Sequence, residues 1–222
     1  MISAYELLNW LHIVLFAYWL GADLGVFYAA GVMARPGLSY DERLRIRDIV
    51  LFIDLAPRVA LILMLPVGFH MASLAWGLEL ASQWLGLMWL LAFAWLALML
   101  AVHYLHGRPH GEFLRRTDLG LRYVILVVML GLGGYSLVMG TPIGQTWLAL
   151  KVLLFAGIIG LGLALRIIAA AWAPAMAQLR AERNVAEAEQ SITRTRNLAA
   201  RAALSLWALL LVMSFLGTTK PF

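Results

Sequence analysis

His12, Asp23, Asp54, Arg58, His70 and Lys151 each stand inside a long apolar run of the sequence, where an ionisable side chain is costly to bury. Imidazoles bind transition metals and haem iron, and buried charges pair with one another or with a charged ligand. On a helix, steps of seven and eleven residues return to nearly the same azimuth, so Trp19 and Asp23 fall beneath His12 on one stripe. Lipid does not solvate such groups, and the stripe is therefore expected to face other helices or a cavity.

The helical rise places these groups in two layers. Asp23 lies about ten residues from Met33, and Arg58 about ten from Asp48, so both are expected roughly 15 Å deep and able to meet near the midplane. Asp54 precedes Arg58 by four residues and completes a carboxylate, guanidinium, carboxylate cluster. That cluster reads either as a structural ion-pair clamp between the first two spans or as a functional site, with Arg58 also a candidate for holding a haem propionate or another anion. By the same count His12 and His70 both lie roughly 30 Å from the basic ends of their helices. At one depth on sequential helices they are candidates for a metal or for the two faces of a haem iron, against the alternative of hydrogen bonding between helices. Pro57 and Pro66 interrupt the helix that carries His70, so its depth is readable and its facing is not. Lys151 either snorkels or faces the His12 and His70 level, and Arg166 is expected to snorkel. His103, His106 and His110 read as a wet, titratable cluster, with a metal or a second haem as the alternative.

The elements that must position these residues follow from composition. The chain has 222 residues, 63% hydrophobic and 13% charged, and its mean hydropathy is +0.85. Those values identify an all-α integral membrane protein, a single membrane domain over 1–222. Cysteine is absent, which excludes disulfides and thiolate chemistry. The net charge of +5 sits beside apolar spans and is explained by orientation in a bilayer, not by nucleic acid. A hydrocarbon core about 30 Å thick needs roughly 20 helical residues. That length predicts six spans: Tyr5 to Ala34, Asp48 to Gly77, Trp84 to His106, Leu119 to Gly140, Thr146 to Trp172 and Ala199 to Gly217. A connecting helix is expected over about 174–198. Arginines crowd the connections after spans one, three and five, while Leu78 to Gln83 and Thr141 to Gln145 contain no Lys or Arg. By the positive-inside rule this gives a six-transmembrane-helix bundle with both termini on the non-cytoplasmic side, expected in the cytoplasmic membrane. The first stretch has no basic n-region and reads as a mature helix. The methionines are scattered as core filler, and Trp76, Trp84 and Trp147 read as an interfacial belt. No HExxH, phosphate-binding loop, nucleophile elbow or dinucleotide fingerprint is present, so hydrolytic and nucleotide chemistry lack support.

Two stretches carry a resemblance. Leu8 to Phe27, LNWLHIVLFAYWLGADLGVF, resembles the opening helix of the CopD-like copper resistance membrane proteins, with a histidine followed by Trp-Leu-Gly. Trp147 to Arg166, WLALKVLLFAGIIGLGLALR, resembles a later helix of the same family, and the His and Lys arrangement is similar to that of the HemJ-type protoporphyrinogen oxidases. The likeness covers about 40 of the 222 residues. It implies His12 as a haem or metal ligand and Lys151 as a charged partner. The expected function is haem b binding for electron transfer or a haem-linked oxidation, through His12 with His70, in contact with a redox partner or a second copy of the chain. A copper permease, passing an ion from His12, His70 and Met71 past Asp23 and Asp54, is the alternative. A non-catalytic accessory subunit is the third reading.

Overall fold

The computed structural model describes residues 2–105 and 107–221, and among them every regular element is a helix. The order is α1 (Ala4–Met33), α2 (Tyr40–Ile53), α3 (Leu55–Ala75), α4 (Ser82–Tyr104), α5 (Gly111–Met139), α6 (Thr146–Ala170), α7 (Trp172–Arg180) and α8 (Val185–Thr219). With α2 running into α3 and α6 into α7, six helices are long and apolar enough to cross a membrane, with mean hydropathies of 1.6 to 2.4. The chain is a multi-pass membrane protein. Its lipid-facing surface is apolar: Tyr28, Phe93, Val127 and Ile167 are among many large side chains left exposed.

Local chemistry sets the helix ends. Ser3 caps α1 and Ser39 caps α2, each by a reciprocal capping box in which the serine Oγ accepts from the backbone N–H of Glu6 or Glu42 and the glutamate accepts from the serine N–H. Pro57 has no N–H to give Ile53, and its ring rejects that carbonyl, so the second span breaks at Asp54. Pro174 does the same to Ala170 and separates α6 from α7. Gly140 ends α5 at φ +69°, a left-handed cap that glycine adopts without steric penalty.

The expected connecting helix over about 174–198 forms differently. α7 ends at Arg180, the chain turns through left-handed Glu182 and Asn184, and α8 then runs unbroken into the sixth span. The reason is a small second core. Ala188 and Ile192 at the base of α8 bury against Ala34 and Ala175, with Trp172, Met176 and Leu179 packed around them. That burial folds α7 back on α8 as a helical hairpin beneath the end of α1, and Arg43 of α2 secures it with a 2.5 Å ion pair to Glu189. Arg43 is completely buried, and its guanidinium also donates to the carbonyls of Leu38 and Arg35. α2 likewise starts eight residues before the expected Asp48, because the Ser39 cap draws Tyr40 to Arg47 into the helix.

In the main core, α1 packs along α3, α5 along α6 and α6 along α8. The tightest approach is at Gly133 of α5, where a Cβ would sit 2.7 Å from the backbone nitrogen of Leu153 on α6. Both chain termini lie at one end of the bundle: Tyr5 stacks edge-on against Trp76, Trp76 against Trp147, and Lys220 covers the face of Trp76. The arginine-rich connections gather at the other, basic, end.

Candidate functional site

His12 is eight residues into α1, about 12 Å below the termini end. Its ring packs on α3 where Gly68 has no side chain, the imidazole edge lying 3.9 Å from where a Cβ would be. Its Nδ1 is buried and has no hydrogen-bond partner among the described residues. Lys151, one turn into α6, lies within electrostatic range of the imidazole, and Lys220 within range of Lys151. The ammonium abuts Gly217 of α8, where a Cβ would fall 2.6 Å from Nζ. Lys151 has no carboxylate partner among the described residues. The imidazole of α1 thus packs on α3 and the ammonium of α6 on α8, and Trp19 meets Phe155 edge-on at 6.5 Å on the basic side of His12.

The facing of His70, which the prolines of its helix leave unreadable in the sequence, is away from His12. Gly68 faces His12, and two residues later the helix has turned by about 200°, which carries His70 toward α4. There its Nδ1 accepts a 3.2 Å hydrogen bond from Trp89 Nε1, and the two rings stand edge to face. A neutral histidine that accepts at Nδ1 carries its proton on Nε2, so neither nitrogen offers a free lone pair to a metal. The helix axis of α3 separates His12 from His70, and the structure does not assemble them as a ligand pair. Met71, next to His70, is buried in the core. No group of three or more His, Asp or Glu that could hold a metal ion occurs among the described residues.

The midplane cluster forms in part. Arg58 pairs with Asp54 across the α2 to α3 joint. Asp23 does not join them as an ion pair; around it lie Trp19, Trp207 and Asp54. The Pro57 break turns Asp54 under Arg58, so the guanidinium finds its carboxylate one turn away in its own span rather than on α1. Of the third-span histidines, His103 stacks edge-on against Tyr104 at 5.0 Å and His110 is exposed, while His106 lies outside the described residues.

The most complete polar network involves residues that the sequence did not single out together. Asp118 of α5 is fully buried and accepts 3.0 Å hydrogen bonds from Arg122 Nε and Trp95 Nε1, and Arg166 Nη1 of α6 lies 3.0 Å from the same carboxylate. Arg122 also rests on the Trp95 ring at 5.4 Å. Arg166 therefore pairs across a helix interface and does not simply snorkel. Placing the start of the fourth span at Leu119 put Asp118 just outside it; the i, i+4 spacing of Asp118 and Arg122 was the available signal. Level with Trp19 on α6 is Phe155, so Arg166, eleven residues further on, lies about 16 Å below that level, while His12 lies about 10 Å above it. The two sites are separated by roughly 27 Å and serve different ends. No family model matches the chain, and no curated protein or solved structure matches it, so the functional reading rests on this geometry.

Proposed function

We propose that the protein binds b-type haem near its termini end through His12 and serves electron transfer or a haem-linked oxidation, as the resemblance of α1 and α6 to CopD-like and HemJ-type proteins implies. The observation that carries this reading is the convergence of an imidazole with a buried, unpartnered nitrogen and an ammonium with no counter-ion inside one apolar interior. A ligand that gives the imidazole a metal centre or a hydrogen bond, and the ammonium negative charge, would satisfy both. Haem b has both, and its apolar macrocycle suits walls of Trp, Phe, Leu and Gly. A copper ion would satisfy the imidazole alone and be repelled by Lys151, which favours haem over the copper permease.

Bound haem supplies a one-electron iron couple. The chain supplies the rest. His12 ligates from α1, Lys151 compensates propionate charge from α6, and Trp19 with Phe155 excludes water from below. His70 fixes Trp89 and does not ligate. By the positive-inside rule the arginine-rich connections support a basic end toward the cytoplasm, with the haem level and both termini on the outer side of a bacterial inner membrane.

The test is the visible spectrum of the detergent-solubilised protein, expressed with ample haem, before and after dithionite. A Soret band with sharp reduced α and β bands is expected, lost in His12→Ala and retained in His70→Ala. A colourless wild-type preparation that elutes as a folded species overturns the reading.

A further inference from the structure

At the basic end a cleft of about 220 Å³ opens between α1 and α8, lined by Phe27, Tyr28, Gly31, Val32, Arg35 and Arg196. Its shape depends on two local features. The Arg196 guanidinium lies on the Phe27 ring at 5.4 Å, which holds the long side chain extended. Gly31 admits that guanidinium against the α1 backbone, since a Cβ there would sit 3.3 Å from Nη2. Neither Arg196 nor Arg35 is paired with a carboxylate among the described residues. Other arginines at this end, Arg43 with Glu189 and Arg115 and Arg116 with Glu112, do have a counter-ion.

We propose that this cleft is a binding site for the phosphodiester headgroup of an anionic phospholipid from the leaflet at the basic end. A guanidinium fork matches phosphate oxygens bidentately, and two arginines over one small cleft match a single phosphodiester flanked by hydroxyls. The surroundings identify a lipid as the source. Leu24, one heptad along α1 from Gly31 toward the midplane, is 52% exposed, and Leu204, two turns along α8 from Arg196, is also 52% exposed. Exposed leucines directly above a cationic cleft offer acyl chains a wall and the headgroup an anchor at the depth where snorkelling arginines meet lipid phosphate. Tyr28, 70% exposed at the rim, supplies a hydroxyl at the interface.

The experiment uses the full chain, delipidated in neutral detergent, with melting temperature and native mass spectrometry as readouts. Phosphatidylglycerol is expected to raise the melting temperature and remain bound in the gas phase, and phosphatidylcholine at equal concentration to do neither. Arg196→Gln is expected to weaken phosphatidylglycerol binding by roughly tenfold or more. Gly31→Leu, which keeps both charges and fills the cleft, is expected to weaken it similarly, while each variant matches the wild type in far-ultraviolet circular dichroism. Equal stabilisation by the two lipids, or a phosphatidylglycerol response unchanged in both variants, overturns the proposal. Inorganic phosphate stabilising as strongly as phosphatidylglycerol assigns the cleft to a free oxyanion and overturns the lipid.

Discussion

The interior charges of the two ends are handled in opposite ways. Toward the basic end, Asp118 collects Arg122, Arg166 and an indole N–H, Asp54 holds Arg58, and Glu189 holds Arg43. Toward the termini end, His12 and Lys151 stand without partners inside an equally apolar surround. A protein that needed charge only to fix helix packing has no reason to leave one end unpaired, because an uncompensated cation away from water is far costlier than a paired one. The paired charges read as architecture and His12 with Lys151 as the place open to a ligand, while Asp23, also without an ion pair, has the indoles of Trp19 and Trp207 around it.

The contrast can be broken by substitution. Asp118→Ala leaves two guanidinium groups facing each other in the core, and should destabilise the fold by about 3–5 kcal/mol; a smaller loss in urea or thermal unfolding would show that the network is dispensable. Lys151→Met should do the reverse, raising the stability of the haem-free protein by roughly 1 kcal/mol, since it replaces a desolvated ammonium by an apolar chain of similar length. The same variant should bind haem about tenfold more weakly in a titration followed at the Soret band. A Lys151→Met protein that is less stable and binds haem normally would make Lys151 architecture too. Glu112→Ala, which removes only exposed ion pairs to Arg115 and Arg116, should leave the melting temperature unchanged and calibrates the series.

The same contrast shows what the sequence could carry. Length and hydropathy located six apolar spans, because 1.5 Å per residue against a fixed membrane thickness is a one-dimensional measurement. Depth came with it as a count of residues from the basic ends, while whether Lys151 snorkels or faces His12 stayed open. Azimuth was another matter. His70 differs from Gly68 by two residues, enough to exchange α1 for α4 as its neighbour, and the prolines at 57 and 66 removed the phase needed to tell which. Asp23 failed to meet Arg58 for the same reason. Asp118 was lost to a boundary placed eight residues after the helix start at Gly111, which left it just outside the span. The cleft at Arg196 depends on Gly31 and Phe27 from a helix 165 residues earlier in the chain, a coincidence in space that no local pattern announces.

α8 gives the comparison a mechanical side. It is one helix of 35 residues, about 52 Å long, held at Glu189 by Arg43 and touching Lys151 through Gly217 at its far end. Between them Gly157 of α6 lets Leu209 approach closely, about 30 Å along the helix from Glu189 and about 12 Å from Gly217. A rod pivoting there by about 5° would move the Glu189 end by roughly 2.6 Å and the Gly217 end by roughly 1 Å, enough to lengthen a hydrogen bond past its usual range. One unbroken helix thus touches both the Arg43 and Glu189 clamp and Lys151, so a single rigid element links the two ends of the bundle.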